Sequence, residues 1–429
     1  MEINYSKLSQ SEINEIKKQK QLNSKFNIRC KNAINDNNCF INVCFHSIIH
    51  FDKFIDFILN DNNFPIYSKS PKLILEIINL ISSYKQLGND KKNNNLIITP
   101  LEFRKALGNY YEKKGDFQLN SEGDPVELLN NILNFIHTYI ASNYNNIDLS
   151  EIKCNPICII HKLFHIDITE TNNCNNCRFK NELKYDFNNF IYLINVESLF
   201  EIIQKNNLNY EKVNNKLFEL TLQSISKSIC SKCNNNSLNK IIQCNYIGNY
   251  FIINLVWESN NINLEKLLLI YCMINKEFKP NQLFNCTINK KYTFLGMIIC
   301  FCNHYTCIYY DKTEKCFMHF DDIKIKIYLN WKELLLNMLK NKYMPVAIFY
   351  ENEEKENLKI DLREEDYNKY LKYCIKKDST LKLLNENKLK ENEWRCNCGE
   401  VNSYDIYICK NCKKKNDIIE IAIKQYTII

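Results

Sequence analysis

The chain has 429 residues, 45% of them hydrophobic, including 26 tyrosines and 24 phenylalanines, enough to core one large domain plus a small module. The formal charge of +7 is spread thinly, which suits a solvated surface better than an acidic or nucleic-acid partner. Twenty-one cysteines, an odd number with several in C-x-x-C pairs, argue for metal sites and free thiols in a reducing compartment and against a disulfide framework.

Residues 1–25 read as a polar, lysine-bearing lead-in with a helix. Met1–Lys7 lacks a basic start followed by an apolar core, and no run of about 18 apolar residues follows anywhere. An intracellular chain, cytoplasmic or nuclear, without a membrane span is expected. With only seven glycines and seven prolines, asparagine is the expected supplier of turns and positive-φ positions.

The segment Asn32–His50 joins an Asn-rich loop to a strongly apolar helix, with Cys39 at the junction. There the positive end of the helix dipole favours a thiolate. From Phe40 to Leu59 apolar residues crowd more than one helical face, which predicts a centrally buried helix. Further helices are expected near Lys72–Tyr84, Glu102–Lys113 and Val126–Tyr144. Gly123-Asp124-Pro125 is a helix start, with Asp124 as cap and Pro125 in the first position.

The middle changes character. Leu163–Thr169, Phe190–Val196 and Tyr250–Val256 are rich in Ile, Phe and Tyr and read as strands. Cys154, Cys158, His161 and His165 have metal-ligand spacing, but the segment is apolar enough to suit a buried strand or helix equally. Cys174 with Cys177 and Cys230 with Cys233 form two C-x-x-C knuckles. Four thiolates suit tetrahedral Zn²⁺ at about 2.3 Å per bond and leave no open position for catalysis.

Tyr292–Phe301, Thr306–Tyr310, Cys316–Phe320 and Val346–Tyr350 read as antiparallel strands around His304, interrupted by a helix at Trp331–Met338. The carboxylates Asp321 and Asp322 follow His304. A cysteine early, a histidine late and a carboxylate just after it is the order of a thiol protease triad. Residues 353–390 form a charged helical connector, 391–415 a cysteine cluster and 416–429 a tail.

Both triad segments resemble the signature boxes of ubiquitin-specific proteases, the papain-like deubiquitinases. Cys39, Phe40 and Asn42 match the first box, with His46 in place of its glutamine. His304, Tyr305, Phe320, Asp321 and Asp322 match the second, with Asn303 in place of its glycine. The likeness is greatest to a divergent branch, some of whose members are classed as catalytically silent. It implies an α+β, thumb–palm–fingers domain over residues 26–352, with the zinc-bearing fingers at about residues 154–260.

The same resemblance implies that Cys39 is the nucleophile, His304 its base and Asp321 the residue that orients the imidazole, Asp322 being the second candidate for that role. Asn32 or Asn37 would supply the oxyanion donor, together with the Asn38 and Cys39 backbone amides. Asp124 and Glu127 would face the arginine-bearing tail of ubiquitin. Ubiquitin and ubiquitinated proteins are the implied partners. The alternative is a catalytically inactive ubiquitin-binding scaffold of the same fold.

Trp394, Cys396, Cys398, Asn402, Cys409 and Cys412 resemble the NZF, or Ran-binding-protein type, zinc finger, with the first cysteine pair one residue too close. Two structural zinc ions are therefore expected. Gly399-Glu400 stands where ubiquitin-binding versions carry Thr-Phe, and the arginine and aromatic groups of RNA-binding versions are missing.

Overall fold

The computed structural model describes residues 29–32, 37–59, 71–89, 97–111, 117–119, 121–143, 158–184, 190–205, 230, 232–234, 238–258, 264–282, 284, 286–322, 324–352, 393–396, 398, 400–403 and 408–415. The lead-in at 1–25, the connector at 353–390, the tail at 416–429 and Cys154 lie outside these residues.

In chain order the elements are β1 (Arg29–Cys30), α1 (Cys39–Ile49), α2 (Asp52–Leu59), α3 (Lys72–Asn89), β2 (Ile97–Ile98), α4 (Leu101–Tyr110) and α5 (Pro125–Asn143). Then come α6 (Ile159–Phe164), β3 (Ile166–Cys174), β4 (Lys180–Lys184), β5 (Tyr192–Asn195), α7 (Val196–Lys205), β6 (Leu238–Ile247), β7 (Tyr250–Val256), α8 (Leu264–Met273) and β8 (Glu277–Phe278). The remainder is β9 (Tyr292–Phe301), β10 (His304–Asp311), β11 (Cys316–Asp321), β12 (Lys324–Tyr328), α9 (Trp331–Lys340), β13 (Met344–Asn352), β14 (Glu393–Arg395) and β15 (Val401–Ser403). The chain divides into two compact units, Met1–Asn145 with Gly296–Asn330 and Asn146–Leu295 with Trp331–Ile429.

In the first unit, every residue of α1 from Phe40 to Ile48 is buried, as the all-round apolar pattern requires. Burying each of Phe45, Phe51 and Phe54 completely is worth about 1.5–3 kcal/mol. The single helix expected over Phe40–Leu59 is instead two. The His50 and Phe51 amides donate to Ser47 and Ile48, a tightened last turn, and Asp52 opens α2 with a carboxylate at its positive end. Helix α4 stops at Tyr110, with Tyr111 as cap, short of Lys113.

Strands β9 to β12 continue as an antiparallel meander in which β10 lies between β9 and β11. Gly296 faces Tyr309 across that ladder, where a Cβ would lie 2.3 Å from the tyrosine ring. The missing side chain lets Tyr309 stack on His50, centroids 3.8 Å apart, and donate its hydroxyl to Ser47 Oγ at 2.6 Å. In this way β10 is bolted to α1.

In the second unit, β7 pairs antiparallel with β13 and parallel with β5. Its near-continuous burial fits a strand covered on both faces. Strand β3 pairs with β4 and β6 in a separate three-stranded sheet and ends at Cys174. The strand expected from Leu163 begins later, at Ile166. Residues 159–164 are helical because Ile160, Leu163 and Phe164 share one buried face, and the His165 amide closes the turn on His161. Helix α9 matches expectation, burying Trp331, Leu334, Leu335, Met338 and Leu339. Among the described residues no helix is long and apolar enough to cross a membrane.

Candidate active site

Cys39 is the first residue of α1 and is half-buried. His304 opens β10 directly after Cys302 and Asn303, whose φ angles of 49° and 60° make a tight two-residue hairpin turn. Asparagine tolerates this left-handed backbone, so Asn303 does the conformational work of the glycine expected there. The turn aims the His304 ring at both Cys39 and Asp321. Its Nε2–H donates to Asp321 Oδ1 at 2.7 Å, and the ring also hydrogen-bonds the Cys39 thiol, which falls to Nδ1.

These contacts shift both partners in the direction of an ion pair. The Asp321 hydrogen bond, followed by that of Cys39, holds the His304 imidazolium up to a pKa of about 10 against partial burial. The His304 hydrogen bond holds the Asp321 carboxyl below its usual range.

Asp322 is not the partner of His304. Its backbone takes φ 49°, turning its carboxylate to accept from Asn32 Nδ2 at 2.9 Å and Asn42 Nδ2 at 2.8 Å. Asn32 in turn accepts the Asn38 amide on Oδ1 at 2.9 Å. The Asn38 amide is therefore engaged by Asn32. The second Nδ2 hydrogen of Asn32 and the Cys39 amide are the donors that suit an oxyanion. Asn37, the other candidate, sits at φ 49° with its carbonyl turned to Arg104. Parallel pairing of β1 with β2 fixes the chain just before Asn32.

His46, on the helix face where a glutamine was expected, is buried. It stacks on Phe320 with centroids 4.4 Å apart, and its Nε2 lies 3.4 Å from Cys30 Sγ. Asp124 Oδ1 accepts the Val126 and Glu127 amides at 2.7 and 2.9 Å, so it caps α5 as its local sequence requires. Glu127 is exposed on the first turn of that helix. Sequence reasoning missed Arg104, the Asn38 side chain that accepts from it and the joint role of Asn42 and Asp322. The legible signal was an arginine on the apolar face of α4, beside Phe103 and Leu107.

In the second unit Cys174, Cys177, Cys230 and Cys233 converge, with Cys174–Cys233 and Cys177–Cys230 Sγ distances of 3.6 Å. Cys396, Cys398, Cys409 and Cys412 do the same, with Cys396–Cys412 at 3.4 Å and Cys398–Cys409 at 3.6 Å. Four sulfurs at about 2.3 Å from one ion stand about 3.8 Å apart, so both donor sets fit a closed tetrahedral metal site. Asn402 reinforces the second. Its Nδ2 donates to Cys409 Sγ at 3.6 Å, and its Oδ1 takes the Lys410 amide at 2.9 Å. The close first pair still leaves all four sulfurs together. Cys158 Sγ lies 3.1 Å from His161 Nδ1, and the His161 and His165 rings are 5.3 Å apart.

Residues 30–344 match the family model described as ubiquitin carboxyl-terminal hydrolase. The chain is 24% identical over 258 residues to human "Ubiquitin carboxyl-terminal hydrolase 53", covering 58% of this chain and 24% of that protein. It is 23% identical over 269 residues to "Ubiquitin carboxyl-terminal hydrolase 54" of Rattus norvegicus, covering 58% of this chain and 16% of that one. The matched region thus spans a quarter or less of these relatives. A solved yeast SAGA DUB module with an Sgf73 mutant shares the fold at a TM-score of 0.50 and 13% identity, covering 78% of this chain and 70% of that chain. The architecture is the α+β, papain-like ubiquitin-specific protease fold. Family match, fold and the hydrogen-bonded Cys–His–Asp group agree, and the chain belongs to the ubiquitin carboxyl-terminal hydrolase family.

Proposed function

We propose that this chain is a deubiquitinase that cleaves the bond after the C-terminal glycine of ubiquitin, within a catalytic domain spanning residues 26–352. The carrying observation is His304, hydrogen-bonded at once to the Cys39 thiol and the Asp321 carboxylate. Cys39 gives its proton to His304 Nδ1, and the thiolate attacks the glycine carbonyl carbon to form a C–S bond. The oxyanion takes hydrogen bonds from Asn32 Nδ2 and the Cys39 amide. Collapse breaks the C–N bond as His304 protonates the leaving amine. Water then attacks the thioester, His304 takes its proton, and the C–S bond breaks to release the carboxylate and the thiol.

Asp321 holds the imidazole tautomer and stabilises its cation. The exposed Glu127 carboxylate, fixed by the Asp124 cap, offers a partner to the arginine-bearing ubiquitin tail. The two cysteine clusters are proposed as structural zinc sites, the first as the fingers knuckle and the second as the NZF-like finger.

A second reading is a non-catalytic ubiquitin-binding scaffold. The glycine-free approach to Cys39, with Asn37 forced to φ 49°, favours it. Reaction with a ubiquitin probe bearing a C-terminal thiol-reactive group separates the two. An intact-mass adduct that is lost in Cys39→Ala and reduced in His304→Ala supports the enzyme. Ubiquitin binding without an adduct, unchanged by Cys39→Ala, supports the scaffold.

A further inference from the structure

Arg104 is 1% exposed, on the inner face of α4. A guanidinium stays charged at any ordinary pH, and burying one costs several kcal/mol unless its N–H groups meet acceptors. Here they meet two loops at once. One terminal nitrogen donates to the Asn37 carbonyl and to Asn38 Oδ1, both at 2.9 Å. The other donates to the Gln118 carbonyl at 2.8 Å and the Ser121 carbonyl at 2.5 Å. The guanidinium also lies over the Phe40 ring, 5.1 Å from its centroid.

Asn37 takes a left-handed φ of 49° at this place. Asparagine tolerates that conformation, but it is still less favourable than the right-handed one. The Arg104 bond to its carbonyl holds that conformation. The peptide that follows carries the Asn38 amide, which pins Asn32 Oδ1, while Asn32 Nδ2 is pinned by Asp322. The next amide is that of Cys39 itself. Arg104 therefore sits at the head of a chain of hydrogen bonds that ends on Asn32, and it holds the turn whose next amide is that of Cys39.

We propose that Arg104 is a positioning residue for acyl transfer. It clamps the Asn37–Asn38 turn and so holds Asn32 Nδ2 and the Cys39 amide where the oxyanion develops. In this family-divergent loop it replaces the preorganisation that glycines would otherwise allow. The inference rests on the deubiquitinase reading.

The test uses two ubiquitin substrates on the full chain. A ubiquitin C-terminal fluorogenic amide passes through a tetrahedral oxyanion. A ubiquitin ending in an alkyl halide is attacked by displacement at carbon, with no oxyanion, so its rate reads binding and the thiolate alone. Arg104→Met is expected to lower kcat on the amide by about 100-fold, the scale of a lost oxyanion donor. KM and the alkylation rate are expected to stay within about threefold. Arg104→Lys keeps the charge but not the fork, and is expected to fall between wild type and Arg104→Met. Should Arg104→Met fail to fold, Asn38→Ala, which removes only one acceptor of the clamp, is measured the same way and decides. Unchanged kcat overturns the proposal, as does an equal loss of amide turnover and alkylation. A wild type inert on both substrates overturns the deubiquitinase reading and this inference with it.

Discussion

Asn32 donates its side-chain amide to Asp322 over 2.9 Å, joining positions 290 apart in sequence. The tandem aspartates thereby divide two tasks, Asp321 holding His304 and Asp322 holding Asn32 and Asn42. Asp322→Ala releases the Asn32 amide, and kcat is expected to fall by about 10²–10³-fold, or roughly 2.7–4 kcal/mol of transition-state stabilisation. Asp322→Asn keeps one acceptor oxygen and tolerates the positive φ, so its loss is expected to be smaller. Steady-state rates on a ubiquitin C-terminal amide check both.

The pH–rate profile reports the other aspartate. The His304 cation persists to a pKa of about 10, chiefly through Asp321. The imidazolium form of His304 is therefore favoured at neutral pH and is lost as pH rises through that pKa. In Asp321→Asn the alkaline limb of kcat/KM is expected to move toward neutrality, the imidazolium having lost its largest stabiliser. An alkaline limb that stays in place would detach Asp321 from this role.

Stability has its own pH dependence. Burial pushes His46 down to about 3 and His319 down to about 4. Both folded values lie below the unfolded value of about 6.5, so between them the unfolded state binds more protons. Their contribution is fully present above about pH 6.5 and is lost as pH falls toward the folded values, at up to about 1.4 kcal/mol per pH unit for each residue. Urea midpoints at pH 7.5, 6 and 5 are expected to decline accordingly. His46→Gln is expected to flatten the decline.

Metal content tests the cysteine clusters. Elemental analysis of the purified chain is expected to find two zinc equivalents, falling to one in Cys230→Ser and in Cys409→Ser. Chelation is expected to lower the melting temperature, because the binding free energy that holds the four sulfurs together is lost with the ion. Wild type without bound zinc would overturn the assignment.

The proposed site residues were legible because their order and spacing match the boxes. Cys39, His304 and Asp321 could be found from their boxes, and the eight clustered cysteines from their knuckles. Asn303 was legible as a substitute for glycine, since both tolerate the left-handed region. The break at His50 was harder, because apolar residues run straight through it and only Asp52 marks the restart. At Leu163 a short apolar run fits helix and strand alike, and the burial of Ile160, Leu163 and Phe164 on one face decided for helix. The parallel pairing of β5 with β7, and the reach of Arg104 to Asn37, are long-range placements that no local pattern encodes.

The distance in sequence between the two halves of this site bears on how the protein is made. Asn42 and Asp322 are 280 positions apart, and His304 and both aspartates lie far downstream of Cys39. A ribosome exposes Cys39 before the segments bearing His304, Asp321 and Asp322 are translated. Until β10 and β11 emerge, the thiol has neither the His304 ring nor the carboxylate that steadies Asn32. Closing so long a loop makes this cluster one of the slower features to form.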